Sequence, residues 1–190
     1  MAVQAGTVAD TMSIDGDIGV FYSDSTESIG AFGSEINFDG SAEQDGITYM
    51  GHMELDVNGT GNSVRMDEVR VGAKGSFGEV WLGEVDNACD QFDPGSSDVW
   101  LGGQSQSCRG ADASSILYKN KMGGAEFAVS HNPSSTISQS AIGAKFGVGP
   151  VTANIGYESG VTTSAGTDED LISFGVAADL GNGFLINAEG

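Results

Sequence analysis

The sequence is poor in basic residues, cysteine and proline, and it has no long apolar run. Its 190 residues include 7 Lys and Arg against 27 Asp and Glu, a formal net charge of −20. Proteins that bind nucleic acid neutralise phosphates with clusters of Lys and Arg, so the composition argues against a nucleic-acid partner. No apolar run approaches the roughly 20 residues of a membrane-spanning helix. The 30 glycines are scattered along the chain and argue against a helix bundle, because glycine costs about 1 kcal/mol in a helix interior.

Cys89 and Cys108 are the only cysteines in the sequence. An isolated pair without a nearby histidine or a CxxC motif does not suit a zinc site. The pair favours a disulfide formed in an oxidising compartment, and two unrelated free thiols are the alternative. Residues 1–5 lack a charged n-region and a long apolar h-region, so we expect no intact signal peptide.

Apolar and polar residues alternate along most of the chain, which indicates β-strands. In the third predicted strand, for example, the apolar Tyr49, Met53 and Leu55 alternate with polar residues. The alternation, together with some less regular runs, predicts eleven strands in one unbroken meander with no linker: 12–22, 32–39, 47–57, 64–74, 79–85, 115–121, 125–131, 142–148, 151–158, 171–180 and 184–189.

The connections between these strands alternate in length. Those after even-numbered strands are mostly short and rich in glycine, whereas those after odd-numbered strands are longer and polar. We expect segment 40–46, after the second strand, to be an exception that is not a tight turn. Alternate connections of a meander lie at opposite ends of the sheet, so one end carries short turns and the other carries long loops, as in transmembrane β-barrels.

Two fold classes are consistent with this pattern. Several predicted strands run 9–11 residues, the length of a tilted membrane-spanning strand, and aromatic residues lie near strand ends, as in an interfacial girdle. These features favour an all-β, antiparallel up-and-down transmembrane β-barrel. A soluble acidic β-sandwich that acts as a binding or adhesion module is the alternative, since its strands also alternate. The sandwich would bury its apolar face, whereas the barrel would turn that face to lipid.

Segment 86–113 is too long for an ordinary connection. It holds five acids and one base, together with apolar residues such as Phe92 and Trp100. A loop with apolar anchors and acidic edges would be able to fold back into a barrel and narrow it. A surface loop closed by the disulfide is the alternative.

Four segments then carry a family resemblance: GDIGVFY at 16–22, GSEINFDG at 33–40, GITYMGHMELD at 46–56 and FGEVWLGEVD at 77–86. Their order resembles the N-terminal part of Gram-negative general diffusion porins, which are trimeric 16-stranded outer-membrane barrels. The resemblance implies a bacterial outer-membrane location in contact with lipid, a homotrimer, and a role for 86–113 as the inward-folded constriction loop. Eleven of sixteen strands would make residues 1–190 a porin domain truncated at its C-terminus.

The resemblance implies passive diffusion of small hydrophilic solutes and ions, and no enzymatic activity. The sequence also lacks a nucleophile elbow, an HExxH motif and a P-loop. A wall lined by one sign of charge enriches counter-ions, so the acidic composition predicts a preference for cations. The predicted constriction consists of Asp86, Asp90, Asp93 and Asp98 facing Arg70 and Lys74, with Arg65 as a further base. The predicted pore lining consists of Asp15, Asp17, Glu35, His52, Glu54, Asp56 and Glu68.

We expect no cofactor, with calcium as the one candidate ion. Its ligands would be the same four aspartates, Asp86, Asp90, Asp93 and Asp98, which offer hard oxygen atoms but lack EF-hand spacing.

Overall fold

A computed structural model describes residues 11–24, 27–58, 63–92, 108, 113–133, 138–162, 168–181 and 184–189. The chain forms two units, residues 1–76 and 77–190. Apart from one short 3-10 helix, every regular element in the described residues is a β-strand. No helix in those ranges has the length and apolarity needed to cross a membrane.

The first unit is a four-stranded antiparallel meander. Its strands are β1 (Thr11–Ser23), β2 (Ser28–Gln44), β3 (Ile47–Asn58) and β4 (Ser63–Gly75). Each strand pairs with the next one along the chain. The register places Ile14 opposite Phe38, and Phe38 opposite Met53. The apolar residues of successive strands therefore share one face of the sheet, as the period-two pattern predicts.

The connection from β2 to β3 is tight, so the expectation that 40–46 would be an exception was wrong. β2 continues to Gln44 and β3 begins at Ile47, which leaves Asp45 and Gly46 as a two-residue turn. Both have a positive φ, 53° and 77°. Asp-Gly is a preferred pair for such a hairpin turn because both central residues must take left-handed backbone angles.

The second unit is also an antiparallel meander. It contains β5 (Gly78–Val85), a 3-10 helix (Asp90–Phe92), β6 (Ala113–Met122), β7 (Ala125–Pro133), β8 (Ser138–Val148), β9 (Val151–Thr162), β10 (Asp168–Gly181) and β11 (Phe184–Glu189). Each strand from β5 to β11 pairs with its neighbour in the chain. The eleven predicted strands are thus confirmed, with ends that differ by a few residues.

The distribution of buried residues is the reverse of that in a soluble sandwich. Large apolar side chains on one face of the strands are exposed, for example Ile142 at 51%, Ile155 at 52% and Phe174 at 57%. The opposite face of the second unit buries small and polar residues instead: Ser115, Ala128, Ser130, Ala141 and Ser173. A sandwich would bury its large apolar residues, so this distribution contradicts the sandwich alternative.

Candidate functional site

The polar face of β1–β4 is strongly acidic, and we call it the acidic face. Cross-strand pairing aligns Asp15 with Asn37 and Asn37 with Glu54, and it aligns Asp17 with Glu35 and Glu35 with Asp56. Among the described residues the face carries nine acids and three bases: Asp15, Asp17, Glu35, Asp39, Glu43, Glu54, Asp56, Asp67 and Glu68, with Arg65, Arg70 and Lys74. All seven predicted pore-lining residues lie on it, and their pore-lining role stays a prediction.

A β-bulge in β4 crowds the carboxylates of this face. Met53 pairs with Val69 and Leu55 pairs with Met66, so one residue of β3, Glu54, lies opposite two residues of β4. Those two residues are Asp67 and Glu68. A bulge of this kind re-aims side chains, and here it places two acids beside a third.

His52 lies at the centre of this crowded region. Its Nδ1 atom is 2.8 Å from Asp39 Oδ1, and its Nε2 atom is 3.6 Å from Glu68 Oε2. The His52 side chain is 10% exposed. Within the described part of the chain, His52, Glu54 and Glu68 place one ligand atom each within 4.8 Å of one another, a spacing that would suit a metal ion.

Two basic residues of the acidic face, Arg65 and Arg70, are paired with acids. Arg70 Nη1 donates a hydrogen bond of 2.5 Å to Glu68 Oε2. Arg65 Nη2 lies 3.5 Å from Asp56 Oδ2 and also contacts Asp67. Each pair neutralises an acid as well as a base, so the acids dominate the potential of the face through their excess in number, nine against three.

In the second unit, residues 86–92 form a short structure that we call the docked segment. The Asn87 side chain caps it: Oδ1 accepts hydrogen bonds from the backbone N–H groups of Cys89, at 2.8 Å, and Asp90, at 3.0 Å. The backbone N–H of Gln91 donates to the Asn87 carbonyl at 3.1 Å. An asparagine in this position satisfies the free N–H groups of the first turn.

The docked segment packs on the polar face of β7–β10. The backbone N–H of Ala88 donates a buried hydrogen bond of 2.8 Å to Ser130 Oγ. The Asn154 side-chain amide donates to the carbonyl of Phe92. Ala88 and Cys89 are fully buried. Backbone polar groups that leave water need partners of this kind.

Two glycines allow the docked segment to approach the sheet. A Cβ atom added at Gly143 would meet the carbonyl oxygen of Ala88 and would lie 2.7 Å from Phe92 Cδ2. A Cβ added at Gly156 would lie 2.5 Å from Cys89 Sγ and 2.8 Å from Ser173 Oγ. Any other residue at either position would therefore displace the segment.

The predicted disulfide is confirmed: Cys89 is bonded to Cys108, with a Cα–Cα distance of 5.8 Å. Both cysteines are buried, and Ser173 Oγ lies 3.2 Å from Cys108 Sγ and 3.5 Å from Cys89 Sγ. The disulfide ties the end of the 86–113 connection to the same face of β10 on which its beginning is docked.

The structure describes two of the four predicted constriction aspartates, Asp86 and Asp90. Asp86 Oδ2 accepts a hydrogen bond of 3.3 Å from the Gln91 amide, and Asp90 is exposed. Asp93 and Asp98 lie outside the described residues. Arg70 and Lys74 lie on the acidic face of the first unit. Their role in a constriction, and calcium binding by the aspartates, stay predictions.

The sequence interpretation did not include two lysines of β6. Lys119 Nζ lies 3.1 Å from Glu79 Oε1 and donates to Gln91 Oε1 at 3.4 Å. Lys121 Nζ lies 2.7 Å from Glu126 Oε1. A period of two from the buried Leu117 places both lysines on the face that carries the docked segment.

Comparison with known proteins identifies the fold and the family. A family model described as Gram-negative porin matches residues 2–189. No curated protein matches the chain. Among solved structures, a mutant of Rh. blastica porin has a TM-score of 0.71 at 17% identity, with 94% of this chain and 73% of that chain covered. A loop L8 deletion mutant of OmpT, an outer membrane protein of Vibrio cholerae, has a TM-score of 0.68 at 16% identity, with coverages of 91% and 67%.

Proposed function

The chain belongs to the Gram-negative porin family of outer-membrane channels, and we propose that it lets small hydrophilic solutes and ions diffuse passively, with a preference for cations. The family and the β-barrel fold are those of channels rather than enzymes. The exposed apolar face would contact outer-membrane lipid, and the acidic face would line the aqueous pore. The excess of acids on that face is the observation that carries the proposed preference.

The preference for cations follows from the charge of the acidic face. Its nine acids outnumber three bases, and two of those bases, Arg65 and Arg70, are already in ion pairs. A low-dielectric wall lined by one sign of charge raises the local concentration of counter-ions. Cations would therefore be enriched along the path, and anions would be depleted.

The docked segment supports a proposed constriction. Its burial against β7–β10 and its disulfide hold 86–92 in place, which is what a fixed narrowing of a pore requires. We propose that 86–113 narrows the pore and that its aspartates act together with Arg70 and Lys74 on ions in transit. We also propose the homotrimer that is usual for such barrels. We propose that the channel works without a cofactor.

The experiment is a reversal-potential measurement in planar lipid bilayers under a gradient of potassium chloride. The wild-type protein should conduct with cation selectivity, and anion selectivity would refute the proposal. Glu35→Gln removes one charge from the acidic face without changing the size of the side chain, so it should lower the ratio of cation to anion permeability.

Asp45→Asn is the matched control, because it removes one charge from an exposed turn residue whose positive φ asparagine tolerates. It should leave the permeability ratio close to that of the wild type. Equal effects of the two variants would show that the acidic face does not set the selectivity.

A further inference from the structure

We infer that His52, Glu54 and Glu68 form a binding site for a divalent transition-metal ion, with Zn²⁺ as the expected ion. The three side chains lie on neighbouring strands, and their ligand atoms are within 4.8 Å of one another. The inference concerns binding alone and does not depend on conduction by the protein.

The hydrogen bond to Asp39 places a proton on Nδ1 of His52. A carboxylate only accepts hydrogen bonds, so the 2.8 Å contact requires a proton on Nδ1 of His52. In the neutral ring Nε2 then carries a lone pair. A carboxylate that holds the second nitrogen of a metal-binding histidine is a recurrent outer-shell arrangement, because it fixes the tautomer and the ring orientation.

The Nε2 atom of His52 is buried and has no hydrogen-bond partner, although the side chain is nine-tenths buried. It faces Glu68 Oε2 at 3.6 Å, so a neutral His52 would point a lone pair at a carboxylate oxygen. An ion between the two atoms would satisfy the Nε2 lone pair, and it would share Glu68 Oε2 with the hydrogen bond from Arg70. Two ligands bound about 2.1 Å from a tetrahedral ion lie roughly 3.4 Å apart, close to the separation observed.

The bulge in β4 brings Glu68 beside the third ligand, Glu54, and it adds the negative charge of Asp67. It places Asp67 and Glu68 opposite Glu54, so the site holds more negative charge than one carboxylate would bring. Arg70 donates to Glu68, and a ligating carboxylate commonly keeps an outer-shell hydrogen bond of this type. One imidazole and two carboxylates suit Zn²⁺ and similar ions better than Ca²⁺ or Mg²⁺, which prefer oxygen ligands alone.

The test is isothermal titration of zinc chloride into untagged, detergent-solubilised protein in a buffer without chelating components. The wild-type protein should bind one ion per chain with saturation. His52→Gln and Glu68→Gln should each weaken the affinity at least tenfold. Asp39→Asn should weaken it about 10- to 100-fold, because it removes only the outer-shell partner.

His131→Gln is the matched control, since His131 is exposed on β7 and its Nδ1 contacts Ser140 Oγ at 3.0 Å. Its zinc affinity should equal that of the wild type. Circular dichroism and the heat-induced shift in gel mobility would show that each variant is folded, and Glu54→Gln is a further variant if His52→Gln does not fold.

The rival arrangement is a doubly protonated His52 that donates to both Asp39 and Glu68. It predicts either no saturable zinc binding or binding that His52→Gln does not change, and either result would overturn the inference. Cobalt, used as a spectroscopic probe, should give visible absorption bands with the wild type and not with His52→Gln. Zinc binding is measured in detergent and conduction is measured in bilayers. A protein that binds zinc without conducting would therefore overturn the proposed channel and not this site.

Discussion

Replacing Gly143 by alanine should push the docked segment away from β8. The added Cβ would meet the carbonyl oxygen of Ala88 and would lie 2.7 Å from Phe92 Cδ2. Gly143 does not have a positive φ, so alanine suits its backbone and the cost is steric. Overpacking of a well-packed site costs about 1–3 kcal/mol.

This cost is comparable to the two hydrogen bonds that residues 88 and 92 make with the sheet. Ala88 and Phe92 each make one hydrogen bond to the sheet, with Ser130 and Asn154 respectively. A hydrogen bond contributes a net stabilisation of about 0.5–1.5 kcal/mol, so the two together contribute about 1–3 kcal/mol. The added methyl group should therefore offset both bonds and shift residues 88–92 away from β8, while the disulfide keeps Cys89 tied to Cys108.

Single-channel conductance in planar bilayers is the assay, and Gly143→Ala should raise the mean conductance and broaden its distribution. Limited proteolysis should cut the variant faster within 86–113. Gly147→Ala is the control, because Gly147 lies on the same strand and the same face with nothing within 4 Å of an added Cβ. If the two variants have the same conductance and the same cleavage rate, the docked segment does not narrow the pore.

Two further predictions concern the disulfide and the lipid-facing side. Replacing both Cys89 and Cys108 by serine removes a link across 19 residues, and a loop near this length contributes about 3 kcal/mol in the chain-entropy model. Thermal unfolding followed by circular dichroism should therefore begin at a lower temperature, and reduction of the wild type should have the same effect; an unchanged midpoint would contradict this. Ile155→Lys places a charge on the exposed apolar face, where a lysine at the bilayer midplane costs about 2–4 kcal/mol. Its folding yield into lipid vesicles should fall, whereas Thr152→Lys on the opposite face should have little effect, and equal yields would contradict the assignment of faces.

The strands were predictable because their signal is local. Successive side chains of a strand point to opposite faces, so each predicted strand could be recognised within its own residues. Segment 151–158, for example, lies within β9, Val151–Thr162. The turn at Asp45–Gly46 was also available locally, since Asp-Gly between two alternating segments predicts a hairpin. The expectation of a longer connection at 40–46 overlooked this pair.

The acidic cluster was predicted in composition but not in geometry. His52, Glu54 and Glu68 could be assigned to polar faces from alternation. The bulge that puts Glu68 beside Glu54 depends on how β4 pairs with β3, and alternation within β4 does not determine that register. Asp39 was not among the predicted lining residues, although it holds His52 Nδ1.

The position of the docked segment was still harder to predict from local sequence. The residues of 86–113 alone favoured a disulfide, and they left an inward-folded loop and a surface loop as alternatives. The surface that receives the segment, however, is made by Ser130, Gly143, Gly156 and Ser173, each of which lies 42 or more residues in sequence from the segment residue that it contacts. Their small side chains have no local signature, because a glycine or serine in a strand is equally compatible with a turn, a bulge or a close contact.

The docked segment is held by hydrogen bonds to the sheet, by the burial of Ala88 and Cys89 and by the disulfide. Asn87 satisfies the N–H groups of Cys89 and Asp90 within the segment itself, so the segment keeps its own shape even where it leaves the sheet. Ser130, Asn154 and the two glycines, Gly143 and Gly156, affect its attachment to the sheet and not its internal shape. Since each hydrogen bond to the sheet contributes about 1 kcal/mol, a methyl group on β8 should shift residues 88–92 within the limits set by the disulfide, while β8 and its neighbours remain paired. A change in conductance without a loss of β-structure is therefore the signature that separates a docked segment from a structural part of the sheet.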